Sequence, residues 1–141
     1  MIMRILFLCM DNSCVSQMAE GLAEMLARGV PGVSFFSAGF KPAGSVNPLA
    51  ILVMKEKGMD ISGYRPKGLE ELPFREFDII VDLGGKDSAP FLTAKQYFKW
   101  TLPYPESPEI VFFRLARDLI GAKVAGLLRK IAEEISSKSE I

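Results

Sequence analysis

Apolar residues fall along the chain in two rhythms, short unbroken runs and longer stretches spaced by three or four. Ile5, Leu6, Phe7 and Leu8 form a run that suits a strand buried on both faces of a parallel sheet. It ends where Cys9 begins a polar loop. Met18, Ala19, Leu22, Ala23, Met25 and Leu26 then recur at helical spacing, with Ser16 reading as the N-cap and Gly29, Val30 and Pro31 as the stop. Val33 to Ser37 predicts a second strand, closed by Ala38 and Gly39. Asn47 and Pro48 suit the cap and first turn of a second helix, with Ile51, Leu52 and Met54 apolar and Gly58 at its C-terminus. Residues 60–73 read as turn around a short helix at Gly68 to Leu72. A third buried strand spans Ile79 to Leu83 and stops at Gly84-Gly85, where the backbone can turn sharply or approach a ligand. Tyr97, Phe98 and Trp100 mark a fourth, cut off by prolines at 103, 105 and 108. The last helix is the most regular element. Phe112, Leu115, Leu119, Ala122, Leu127, Ile131 and Ile135 follow a helical period, with Arg114, Arg117, Lys123, Arg129 and Glu133 mostly opposite.

Strands alternating with helices imply an α/β, doubly wound parallel sheet whose sites lie beyond the carboxyl ends of its strands. Cys9, Gly84 and the segment after Trp100 fall there. The chain's 141 residues, 49% of them apolar, suit one domain over 1–141 with an ample core. Lys+Arg and Asp+Glu are 17 each, so no overall field holds nucleic acid or an anionic membrane, and neither partner is expected. The absence of histidine removes every Ser-His, Cys-His and His-ligated metal mechanism. Chemistry is left to thiol, carboxylate or phenol, with no cofactor and no metal expected. The first apolar run, flanked by Arg4 and Asp11, is far short of a signal segment or a membrane span, so a soluble, cytoplasmic protein is expected.

Cys9-Met10-Asp11-Asn12-Ser13-Cys14-Val15-Ser16 lies between a buried strand and a helix N-terminus, where unpaired amides and the helix dipole favour an anion. Two readings are open there. Cys9 is a thiolate nucleophile of lowered pKa, steadied by the Ser16 hydroxyl while the loop amides cradle an oxyanion; or it packs at a strand end as a small hydrophobe.

Leu8 to Glu20, L-C-M-D-N-S-C-V-S-Q-M-A-E, resembles the signature of the low-molecular-weight tyrosine phosphatases and their arsenate reductase relatives, a cysteine followed after five residues by Arg-Ser. Ser37-Ala38-Gly39 and the stretch from Val46-Asn47-Pro48 through Met54-Lys55-Glu56 to Asp60-Ile61-Ser62 are similar to the arsenate reductase branch. Trp100 to Pro105 matches the family's later Trp…Asp-Pro element in spacing. The match runs roughly from Met3 to Leu128. It implies a three-layer fold with a four-stranded parallel sheet, phosphotyrosine protein phosphatase I-like, with Cys9 as nucleophile on a phosphate or arsenate oxyanion.

The departures from that pattern weigh as much. Where the family carries its oxyanion-binding arginine this chain has Val15, and losing one preorganised donor costs about 2.7–4 kcal/mol, on the order of a hundred- to a thousand-fold in rate. Asp11 replaces the glycine two residues after the nucleophile, and its charge opposes both the oxyanion and the thiolate. The family's general-acid Asp aligns with Tyr104, a poor proton donor at neutral pH. The two later cysteines of a thioredoxin-linked relay are missing, Gly84 and Ala89 standing in the corresponding stretch, so that relay cannot operate.

Other residues carry paired readings. Cys14 pairs with Cys9, as such cysteines do in the family, or fills the loop's underside. Arg65 or Lys86 swings in for the missing arginine, or is a solvated cation. Tyr97, Phe98, Trp100 and Tyr104 line the mouth of the site, or pack in the core. The functional expectation is an impaired cysteine-dependent phosphatase or reductase acting on a small oxyanion or phosphorylated substrate. The alternative is a non-catalytic binding or thiol redox-sensing module with an unknown protein partner.

Overall fold

The computed structural model of the protein describes residues 2–28, 30–84, 89, 91–102, 105 and 107–139. The chain runs β1 (Met3–Cys9), α1 (Val15–Leu26), β2 (Val33–Gly39), α2 (Pro48–Lys55), a 3-10 turn at Leu69–Glu71, β3 (Glu76–Asp82), β4 (Thr93–Lys99) and α3 (Ile110–Ser139). The strands form one four-stranded sheet in the order β2-β1-β3-β4, every pair parallel. This is the α/β sheet the sequence predicts, down to the number of strands.

The apolar runs mark the strands but misplace their ends, since β1, β3 and β4 begin earlier than predicted while Leu83 and Trp100, read as strand, lie just beyond β3 and β4. Met3 and Arg4 join β1 by pairing with Val33 and Ser34, because ladder hydrogen bonds are made by the backbone and ignore side-chain polarity. Ala38 and Gly39 do not close β2; they pair with Leu8 and Cys9 as its last residues. Gly39 also sets the site, since a Cβ there would stand 2.8 Å from the Asn12 nitrogen and the Asp11 carbonyl carbon. Only a bare backbone lets the loop after β1 lie this close.

Side chains alternate across the sheet as its pleat requires. Ile5, Phe7, Cys9, Phe35, Ile79 and Val81 join a core cluster that contains the buried faces of all three α-helices. Leu6, Leu8, Ala38, Phe77 and Ile80 face the other way and meet Leu69, Ala89 and Leu92, so the layer on that side among the described residues is a 3-10 turn and loop. Asn47 caps α2 by accepting from the Leu49 amide at 2.9 Å, with Pro48 in the first turn, as its sequence implies. Arg117, almost fully buried, ties α3 to α2 by donating to the Val53 carbonyl at 2.9 Å and to Glu56 at 2.7 Å.

Helix α3 corrects the sequence reading. Its buried apolar residues are Phe113, Ala116, Ile120, Val124, Leu127 and Ile131, whereas Phe112, Leu115, Leu119 and Ile135 are exposed. The helix carries two apolar stripes, and the predicted one crosses from the outer stripe to the inner at Leu127. Periodicity reports that an apolar face exists, but not which of two the core takes.

Candidate active site

β1 delivers Cys9 to the carboxyl edge of the sheet, and residues 10–14 carry the chain over to α1. The loop's carbonyls turn outward onto residues 40–47. Cys9, Met10, Asp11 and Ser13 oxygens accept from the amides of Phe40 at 3.3 Å, Lys41 at 2.7 Å, Ala43 at 2.9 Å and Asn47 at 2.8 Å. A planar trans peptide points its N–H opposite to its C=O, so the amides of residues 10, 11, 12 and 14 are directed inward. One of them is already used, the Asn12 N–H donating to Cys9 Sγ at 3.2 Å. Asn12 itself takes a left-handed conformation with φ of 54°, which asparagine tolerates better than most residues.

Ser16 is not the N-cap. α1 begins at Val15 with Cys14 in the cap position and no side-chain cap hydrogen bond. The Ser16 hydroxyl turns instead to Cys9, with Oγ 2.8 Å from Sγ. Its neighbours assign the proton. Asn12 Nδ2 donates to Ser16 Oγ at 2.8 Å and to Ser37 Oγ at 3.0 Å, and Ser37 passes its own hydrogen to Glu20 Oε1 at 2.6 Å. The Ser16 hydrogen is therefore free to donate to sulfur. Asn12 Oδ1 accepts from Gln17 Nε2 and from the Lys67 amide, both at 2.9 Å, which fixes the amide's orientation. Lys67 Nζ lies 4.0 Å from Glu20 Oε1, at the far end of the chain of bonds that starts at the thiol.

The electrostatics correct a second expectation. Burial pushes the Cys9 thiol up from its ordinary value, outweighing the hydrogen bonds from Ser16 and Asn12 that pull it down, and Asp11 adds to the rise. The sequence pointed to a lowered value because it shows the helix terminus but not that Cys9 is only 2% exposed. Burial, then Cys9 and Asp11, push Cys14 to about 12. Both cysteines are buried and free, and Cys14 packs within the main core cluster. Glu20 is raised by its burial against the opposing pull of Ser37 and Lys67.

The remaining loop residues take distinct places. Met10 is 40% exposed, and Asp11 folds back to accept the Ser13 amide at 3.1 Å. Val15 is buried among apolar side chains, so the arginine position holds no polar atom. Arg65 does not replace it; its guanidinium pairs with Glu71 at 2.9 Å and is largely exposed. Lys86 and Tyr104 lie outside the described residues. Trp100 sits 6.2 Å from the Phe7 ring as core packing, Phe98 lies under Lys130 Nζ at 5.3 Å, and Tyr97 donates to Asp82 at 3.3 Å. Among the described residues no cluster of acidic or cysteine side chains could hold a metal ion. No helix among them is long and apolar enough to cross a membrane.

Sequence reasoning named Asn12 only as loop. It missed the network through Gln17, Glu20, Ser37 and Lys67, whose one signal was polar residues on the buried face of a helix and at the buried end of a strand.

Comparison with known proteins is consistent across sequence and structure. The family described as low molecular weight phosphotyrosine protein phosphatase matches residues 4–137. A glutaredoxin arsenate reductase of Synechocystis sp. is 33% identical over 132 residues, covering 92% of this chain and 98% of that protein. An arsenate reductase of Brevibacillus brevis is 35% identical, covering 92% and 93%. Among solved structures, an arsenate reductase in the phosphate binding state superposes with a TM-score of 0.81 at 32% identity over 92% of this chain and 99% of the other. An arginine phosphatase of Geobacillus stearothermophilus gives 0.75 at 27% identity, covering 94% of each.

Proposed function

Because the chain belongs to the low-molecular-weight phosphotyrosine protein phosphatase family, we propose that it is a weakened cysteine-dependent enzyme in which Cys9 attacks a phosphate or arsenate oxyanion. The observation that carries this is the Ser16 hydroxyl 2.8 Å from Cys9 Sγ, its hydrogen turned to sulfur because Asn12 occupies the oxygen. A thiol that merely packed would not need a donor held against it by a buried network.

On a phosphate monoester, Cys9 loses its proton to solvent and the sulfur forms a bond to phosphorus as the ester oxygen leaves with the electron pair. Water then attacks phosphorus, the P–S bond breaks, and thiolate and inorganic phosphate result. The Ser16 hydroxyl stabilises the sulfur when it is charged, in attack and again in release. The weakening has three sources: Val15 supplies no charge to the equatorial oxygens, Asp11 engages one loop amide and repels an anion, and the phenol Tyr104 aligns in sequence with the family's general-acid carboxyl. With two cysteines in the chain, a three-cysteine relay to thioredoxin is excluded.

A second reading follows from the raised Cys9 and Cys14 thiols and the occupied loop: a binding or redox-sensing module that has kept the fold. Hydrolysis of an activated aryl phosphate by wild-type protein and by Cys9→Ser decides between them. Slow turnover that vanishes in Cys9→Ser supports the enzyme. Turnover that is absent, or unchanged by the substitution, leaves the binding module.

A further inference from the structure

We propose that the outward face of α3 is the interface of a symmetric dimer, in which this helix packs antiparallel against its counterpart in a second copy of the chain. The starting point is the outer apolar stripe. Val111, Phe112, Leu115 and Leu119 are 56%, 44%, 50% and 37% exposed, although the same helix has already given Phe113, Ala116, Ile120 and Val124 to the core. A helix of one folded unit needs one apolar face. A second, of large residues along three turns, is the composition of a covered surface.

The spacing and the charges identify the cover. Positions 112, 115, 119 and 122 alternate steps of three and four, the pattern by which two helices interlock side chains along a shared seam. In an antiparallel pair this register sets Leu115 against the partner's Leu119 and Phe112 against the partner's Ala122, a large residue opposite a small one at each end. The same register brings Glu109, one residue before α3, beside the partner's Lys123. By symmetry that contact is made twice. Neither Glu109 nor Lys123 carries a salt bridge among the described residues. On the opposite flank Asp118 meets its own copy near the axis, with its charge already met by Arg117 at 2.9 Å. Unrelated partners would not be expected to reproduce these complementary ends, whereas a second copy supplies them necessarily. One helix pair covers less than the ~800 Å² per partner of a standard interface, so a dissociation constant in the micromolar range is expected.

Sedimentation velocity from about 1 to 300 µM tests this on the full chain. The wild type is expected to pass from monomer to dimer, with Leu115→Asp remaining monomeric throughout and circular dichroism unchanged. Should that variant fail to fold, Leu119→Asp serves in its place. Glu109→Lys and Lys123→Glu should each weaken the dimer about tenfold or more, and the double swap should restore it to within a few-fold of wild type. A monomer at every concentration, a dimer that survives the Asp substitutions, or a double swap no better than the single ones would each overturn the proposal. A larger oligomer in place of the dimer would do the same.

Discussion

At the level of single residues, Cys9 is held between forces of opposite sign, and their ranking can be measured. Burial raises its pKa most, the Ser16 hydroxyl is the strongest force lowering it, and Asp11 is the weakest of those resolved. Ser16→Ala is therefore expected to raise the pKa further, and by more than Asp11→Asn lowers it. The pH dependence of Cys9 alkylation, mapped by mass spectrometry, reads both; Cys14, pushed to about 12, stays silent over the same range. A larger response to Asp11→Asn would reverse the assignment. The loop's two departures from the family pattern can also be reversed together. Asp11→Gly with Val15→Arg should raise aryl phosphatase activity at least about a hundredfold, because a guanidinium fork adds two charge-assisted hydrogen bonds as charge builds on the oxygens. An activated leaving group needs little protonation, so the assay isolates the loop from Tyr104. Val15 packs in the core cluster, so the new side chain must turn toward the loop, and a thermal melt should accompany the assay. A folded double variant with no gain would show that the loop is not an oxyanion cradle.

Elements differ in how openly the sequence declares them. The cap of α2 was legible residue by residue, since Asn47 and Pro48 act locally and their geometry follows from their chemistry. The start of α1 was not, because Ser16 is a good capping residue by type but is drawn to Cys9 by tertiary structure. Strand ends were understated wherever polar residues continue a ladder, as Arg4 and Glu76 do. α3 was found from Phe112 to Ile135, short of its ends at Ile110 and Ser139, while its inner and outer faces were mixed, a choice made by the residues of α1, α2 and the sheet that the sequence of α3 does not contain. The correction has a measurable consequence. Ile120→Ala, at a fully buried position, should cost about 2–5 kcal/mol. Leu115→Ala, on the outer stripe, should stay within about 0.5 kcal/mol in dilute protein. Denaturant melts of the two variants side by side decide it, and equal losses would return Leu115 to the core.

Across the whole molecule, the loop that follows Cys9 was readable from one segment, but the network that supports it was not. That network joins residues 12, 16, 17, 20, 37 and 67, brought together only when β2 and the turn before the 3-10 segment close over the loop. Ionisable groups tie the molecule together in the same long-range way, and two of them act in opposite directions with pH. Glu56 is lowered to about 2 by hydrogen bonds from Arg114 and then Arg117, which lock the end of α2 to α3. A carboxyl depressed in the folded state stabilises it above its unfolded value of 4.5, and the contribution is lost as pH falls from there toward about 2. Glu20 is raised by burial, so the folded state holds its proton more tightly and stability declines as pH rises from 4.5 through the folded value. Thermal melts over pH 2.5 to 7 should therefore separate the two. Glu56→Gln is expected to flatten the acid limb only in part, because Asp60, Glu71 and Asp118 are depressed as well. Glu20→Gln should leave the acid limb alone and reduce the decline on the higher-pH side. If Glu56→Gln melts with the same acid sensitivity as wild type, the Arg114 and Arg117 bonds do not hold α2 to α3 in solution. If Glu20→Gln changes the acid limb instead, the carboxylate is paired with Lys67 more closely than the 4.0 Å separation allows.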